Sequence, residues 1–213
     1  MLASMALPIP DGTRLAAILI VICFSAGLNV YATVGMLGLL SHSSLIVLPD
    51  SLHAVANWYV IAGCGVLFLV EFIGDKVPVF DLLWNAIHTF VRIPVAAVLT
   101  YSATNQLPES QRIIATLAGA LIALAAHGGK TAARAAITPS PEPFSNIALS
   151  LSEDSAVVFL MWFATRHPFS AAGIVVIALG IIAVAARTVA GAIARLFRDA
   201  ENAIERGAPV GSH

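Results

Sequence analysis

Hydrophobic positions along this chain fall in long unbroken runs, and polar residues punctuate them at a few places. The first run, Leu15–Leu40, holds about 26 residues without a charge, enough to cross roughly 30 Å of hydrocarbon with some tilt. It predicts a transmembrane helix over 15–40. Asn29 falls near its middle in a glycine-rich stretch, where small residues allow close helix approach and a midspan Asn bonds to a neighbouring helix. Ser41–Asn57 reads as a polar loop. Trp58 and Tyr59 then mark a membrane interface, where amphipathic rings collect. A second span is predicted at 58–73, ending in Gly74-Asp75-Lys76-Val77-Pro78. The proline pushes Val77 away from helical geometry.

The third span, 81–104, carries Asp81, Asn85, His88 and Arg92 at steps of four, three and four, which places them on one helical face. Arg92 lies roughly 16 Å along the axis from Asp81, and Pro94 frees the carbonyl of Phe90. After a polar turn at Asn105–Arg112 comes a fourth span, 113–134. Its apolar part stops at Ala126, so the helix must continue through His127–Arg134 or break at Gly128-Gly129. The prolines of Thr138–Phe144 mark a loop. The fifth span, 145–165, carries Asn146, Ser150 and Glu153 on one face with Asp154 beside them. Arg166-His167-Pro168 ends it, and a sixth span covers 169–186. Residues 187–206 read as a C-terminal helical extension with an apolar stripe from Val189 to Ile204, stopped by Gly207.

Six spans put both termini on one side. Eight Lys and Arg residues, Arg14, Lys76, Lys130 and Arg134 among them, would share that side against Arg112 and Arg166 on the other. This bias predicts that both termini lie in the cytoplasm. Spans two and four both end in a Gly-x-Lys step followed by a helix with a polar opening face, an echo of the internal repeats with which transporters build sites.

Composition sharpens the class. The chain is 59% hydrophobic and only 11% charged, against roughly 25% charged in soluble domains. It is predicted to be one all-α, polytopic transmembrane domain over 1–213. The net charge of −1 and the lack of a basic tract point away from nucleic acid. Cys23 and Cys64 both fall inside apolar runs, which disfavours a disulfide framework or thiolate metal site. The N-terminal stretch lacks a positive leader, so the first run is expected to be retained as an anchor.

The charges inside this apolar chain are the candidate chemistry, because a charge in hydrocarbon costs about 2.5–3.5 kcal/mol even on the lenient insertion scale. The candidate substrate- or ion-binding set is Glu71, Asp75, Lys76, Asp81, His88, Arg92, Lys130, Arg134, Asn146, Glu153 and Asp154. Glu71, Asp75, Glu153 and Asp154 offer hard oxygen ligands for a divalent cation. Alternatively Lys76, Arg92, Lys130 and Arg134 would hold an anion such as phosphate, with the carboxylates coupling protons. His88 has an unperturbed pKa of about 6.5 and suits a proton carrier. The bland counterpart is structural: Arg92 locked to Glu153 or Asp154, His88 bonded to a carbonyl, and Lys130 and Arg134 serving only the charge bias. A small carrier is the favoured reading. A membrane enzyme acting on a lipid phosphate or isoprenoid would use His88 with Asp81 or Glu153, but no nucleophile elbow or zinc-protease motif is found. A non-catalytic assembly subunit would dock through the C-terminal stripe.

Three strings resemble one family. GLNVYATVGMLGLL, LVEFIGDKVPVFDLLWNAIHTFVRIP and FSNIALSLSEDSAV are similar to the bacterial membrane family catalogued as domain of unknown function 4126. The resemblance implies a multi-pass helical inner-membrane protein and no particular activity. Glu71-Phe-Ile-Gly74-Asp75-Lys76-Val77 is also similar, more weakly, to the Glu-x-Gly-Asp-Lys/Arg-Thr/Ser motif of manganese/calcium–proton exchangers. It has one extra residue before the glycine, and Val77 stands where a hydroxyl is expected. That likeness would make Glu71 and Asp75 cation ligands, with Glu153 or Asp154 opposite.

Overall fold

A computed structural model describes residues 12–74, 78–137 and 143–207. The side chains of 78–83, 85, 135–137, 143–146, 199–200 and 203–207 lie outside the described set. Every described element is helical: α1 Gly12–Leu28, α2 Val30–His42, a 3-10 helix Asp50–Ala56, α3 Trp58–Gly74, α4 Pro78–Ala103, α5 Glu109–Ile137, α6 Pro143–Arg166 and α7 Pro168–Gly207.

The predicted first span is two helices, not one. Asn29 adopts an extended backbone (φ −150°, ψ 104°) and caps α2, its side-chain oxygen accepting from the amide of Ala32, as N-cap asparagines do. Neighbouring contacts fix the direction of each arm. Cys23 of α1 meets Thr100 of α4, and Gly27 lies against Ala123 and Ala126 of α5. The Leu28 carbonyl receives the Lys130 ammonium. Along α1, partners on α5 therefore rise in number, so the two helices run the same way. Along α2 the chain returns. Tyr31 meets His88, Gly35 packs on Cys64, Gly38 packs on Ile61 and Val55, and His42 stacks on Trp58. Ile22 and Leu37 face a common cavity. The arms thus form an antiparallel hairpin whose tip is Asn29.

Both open arms of the hairpin end where the α4–α5 and α6–α7 turns lie. Arg14 and Leu37 share a cavity with Asn105, Gln106 and Thr165, and Ser51 of the 3-10 helix donates to the Ser102 carbonyl at 2.7 Å. We call this the turn end. This corrects the six-span count, which took residues 15–40 as one crossing, and it moves Arg14 to the end that carries Arg112 and Arg166. Among the described residues, four helices are long and apolar enough to cross a membrane, within α4, α5, α6 and α7. A fifth crossing forms if the 3-10 helix and α3, bent by 58°, count as one span.

The remaining boundaries shift little. Pro78 opens α4 three residues before the predicted start, at the first helical turn that proline favours, and the helix passes unbroken through Pro94. α5 continues through Gly128-Gly129. The predicted span 169–186 and extension 187–206 are one helix of 40 residues. The polar loop 41–57 contains the 3-10 helix. The predicted break at Val77 and residues 138–142 of the predicted loop Thr138–Phe144 fall outside the described residues, and the loop's last two residues instead open α6 at Pro143.

α1 is the centre of the packing. Every residue from Val21 to Val30 is buried, as expected of a helix apolar all round and enclosed by others. Glycine makes this possible. A Cβ on Gly27 would collide with the Ala123 carbonyl and lie 2.7 Å from the Ala126 side chain, so α1 and α5 approach at backbone distance. Small residues at such contacts are how helices gain van der Waals contact in lipid.

Candidate functional site

The hairpin tip leaves two helix ends in the middle of the bundle. Orphan carbonyls at the end of α1 carry partial negative charge, and orphan amides at the start of α2 carry partial positive charge. The sequence supplies a counterpart to each. Lys130 donates to the Leu28 carbonyl at 3.1 Å. Asn29, at the start of α2, donates its side-chain N–H to Asp154 Oδ1 at 2.9 Å. The Thr33 hydroxyl and amide both return to the Asn29 carbonyl.

Around this tip α3, α4, α5 and α6 deliver a layer of buried charge. Glu71 Oε1 accepts from the Arg92 guanidinium, and both side chains are fully buried. The same oxygen lies 3.4 Å from Lys130 Nζ. On its other side Lys130 lies 3.3 Å from Glu153 Oε2, which also accepts from Arg134 at 2.9 Å. Lys130 therefore sits between two carboxylates at nearly equal distance. Among the described residues, three cations, Arg92, Lys130 and Arg134, and three carboxylates, Glu71, Glu153 and Asp154, are buried in this layer. By helical rise, Arg92 lies roughly 17 Å from the turn end of α4 and Glu153 roughly 20 Å from that of α6, while Lys130 lies roughly 32 Å along α5 from its start.

Histidines extend the layer. Arg92 Nη1 lies 2.8 Å from His127 Nδ1. Arginine can only donate, which assigns the lone pair to Nδ1 and the ring proton to Nε2, and Nε2 donates to Thr89 Oγ1 at 2.8 Å. His88 takes a different place. Its Nδ1 donates to the Trp84 carbonyl at 2.7 Å, and its Nε2 meets the Tyr31 hydroxyl at 2.9 Å. Glu71 Oε2 is buried with no hydrogen-bond partner among the described residues.

Of the residues singled out by sequence, Glu71, Arg92, Lys130, Arg134, Glu153 and Asp154 come together. His88 reaches the hairpin through Tyr31. Asp75 and Lys76 lie outside the described residues. Asp81 and Asn146 sit on the opening turns of α4 and α6, but their side chains are outside the described set. Arg92 takes Glu71 as its carboxylate partner, where sequence offered Glu153 or Asp154. Lys130 and Arg134 are buried rather than solvated at a membrane edge. No three His, Cys, Asp or Glu side chains among the described residues converge as a metal site requires, and Glu71 and Glu153 each face cations instead. Sequence reasoning missed His127 and Thr89. His127 was legible as the residue three before Lys130 and seven before Arg134, hence on the same face.

Fold and site together define an all-helical protein of the multi-pass membrane kind, with a layer of buried charges at the tip of a helical hairpin. The chain belongs to the family described as "Domain of unknown function (DUF4126)", which matches residues 16–188. No curated protein and no solved structure matches it.

Proposed function

We propose that this protein is a small proton-coupled carrier of anions in the bacterial inner membrane, with its site at the charge layer. The observation that carries this reading is Lys130, shared almost evenly between Glu71 and Glu153. A buried charge must keep a partner, since breaking a buried pair costs about 3–5 kcal/mol. Protonating one carboxylate removes a partner from Lys130 and either Arg92 or Arg134, and a small anion arriving from the same side restores it. Proton and anion would then move together with no net buried charge created. The Glu71 oxygen without a partner is the natural first seat of that proton. Broken helix ends at such a site are the arrangement by which many carriers hold their cargo. A divalent cation held by Glu71, Asp75, Glu153 and Asp154 fits less well, because Arg92, Arg134 and Lys130 already occupy Glu71 and Glu153.

The opposite end of the bundle is assigned to the cytoplasm. With Arg14 at the turn end, and Lys130 and Arg134 counted with Arg92 in the buried layer, the basic-residue count changes from eight against two to five against three, which keeps the same direction. The start of α1 then faces the periplasm while α7 ends in the cytoplasm, in place of two cytoplasmic termini.

The test is flux in proteoliposomes holding an acid-outside pH gradient, with phosphate, sulfate and a monocarboxylate offered separately. Uptake of one anion that needs the gradient, and is lost in Lys130→Met and in Glu71→Gln, is expected. Unchanged uptake in both Glu71→Gln and Glu153→Gln would overturn the reading. The three-against-three balance also favours a second reading, in which the layer only locks the hairpin in place. In that case no anion moves, and the same variants lose thermal stability alone.

A further inference from the structure

At the turn end, away from the charge layer, the hairpin arms line a half-open cavity of about 410 Å3. Its walls are Ile18 and Ile22 of α1, Leu37 of α2, Leu48 and Leu52 of the intervening segment, and Ala103 of α4. Polar side chains lie only where the elements emerge: Arg14 at the start of α1, Asp50 at the start of the 3-10 helix, and Asn105 and Gln106 in the α4–α5 turn. The volume lies within the range of small-molecule sites, about 300–1,000 Å3. Protein interiors otherwise contain few voids larger than a water molecule. An aliphatic cavity stays dry, and the cost of leaving it empty grows with its volume. The occupant must therefore be apolar along most of its length and polar at one end.

We propose that this cavity binds one acyl chain of a zwitterionic phospholipid, with the phosphate at Arg14, Asn105 and Gln106. His42 and Trp58, stacked where α2 ends and α3 begins, flank the segment whose Leu45–Leu52 stretch lines the cavity, and amphipathic rings of this kind mark a membrane interface. Hydrocarbon chains and headgroups are both present there at high concentration. Arg14 and the two amides supply donors suited to phosphate oxygens. Asp50 at the same mouth opposes a second negative charge, so a headgroup whose amine offsets its phosphate is selected over an anionic one. The site does not depend on the carrier reading, because it shares no residue with the charge layer.

The experiment is native mass spectrometry of the full chain, stripped of lipid and titrated with a lysophosphatidylethanolamine. A maltoside detergent and a lysophosphatidylglycerol of the same chain length serve as comparison probes. One lysophosphatidylethanolamine bound per chain, ahead of both comparison probes, is expected. Ala103→Phe fills the cavity and should weaken binding at least about tenfold, as a mismatch of this size does in an apolar pocket. Arg14→Gln leaves the walls intact and should weaken binding about tenfold while sparing the maltoside, the expected loss for one charge-assisted contact. The proposal fails if the wild-type chain retains no lipid, or if it binds the maltoside as well as the phospholipid. It also fails if Arg14→Gln, which needs no repacking, binds the phospholipid undiminished.

Discussion

α1 and α3 make an instructive pair. Each is an apolar helix of 17 residues that includes small residues, and hydropathy alone would assign them the same surroundings. Yet α1 is buried on every side from Val21 onward, whereas among α3 residues only Ile61, Glu71 and Gly74 are buried. Lipid tails are as apolar as leucine, so hydrophobicity does not decide which helix lies inside. Polar groups and close contacts do. α1 ends on a broken backbone that Lys130 and Asn29 satisfy, and its Gly27 meets α5 at backbone distance. α3 leans on α2 through Gly35, Gly38 and Trp58, and reaches the centre through Glu71. Its own Gly63 and Gly65 face open space.

The largest effect should therefore come from the one buried charge of α3. Glu71→Ala leaves Arg92 and Lys130 facing a missing partner and should cost about 3–5 kcal/mol, read as a lowered Tm in mild detergent. Val66→Ala, five residues earlier on the exposed face, should stay within about 0.5 kcal/mol. Comparable losses for the two would show that α3 is held by its apolar surface after all. Gly27→Ala tests the other helix. The added methyl meets backbone, which cannot swing away, so a loss of about 1–3 kcal/mol is expected. Asn29→Ala removes the α2 cap and the bond to Asp154 and should cost about 1–2 kcal/mol. If that variant is as stable as the parent, the hairpin tip does not depend on its cap. The smallest change should be Gly63→Ala, which meets nothing within 4 Å and gains helix propensity of up to about 1 kcal/mol. Destabilisation there would reveal a partner surface on α3.

Much of the charge layer was legible in the residue pattern. Uncharged runs made Glu71, Arg92, Glu153 and Asp154 conspicuous, and the four-residue spacing of Lys130 and Arg134 put both on one face. Their pairing was not legible, because several carboxylates lie at suitable depths and only helix adjacency chooses among them. Arg92 therefore took Glu71, from the preceding helix, while Arg134 took Glu153. The spacing of His127 to Lys130 and Arg134 put it on their face, but nothing in the sequence said that Arg92 would reach its ring. Asn29 was read as a helix–helix contact, and it does reach α6. The larger consequence, that the backbone turns there, had no signature beyond one polar residue in a run of apolar ones.

By itself the sequence determined that this chain is helical, that it sits among apolar neighbours, and that its few buried charges must find one another. Those conclusions rest on hydrogen-bond satisfaction and desolvation cost, which depend on local composition. Only the tertiary structure decided that Leu15–Leu40 enters and returns rather than crosses. A run of that length satisfies hydropathy either way. What permits the turn is a cap at Asn29, a cation at Lys130 and an acid at Asp154, the latter two brought from helices more than a hundred residues further along.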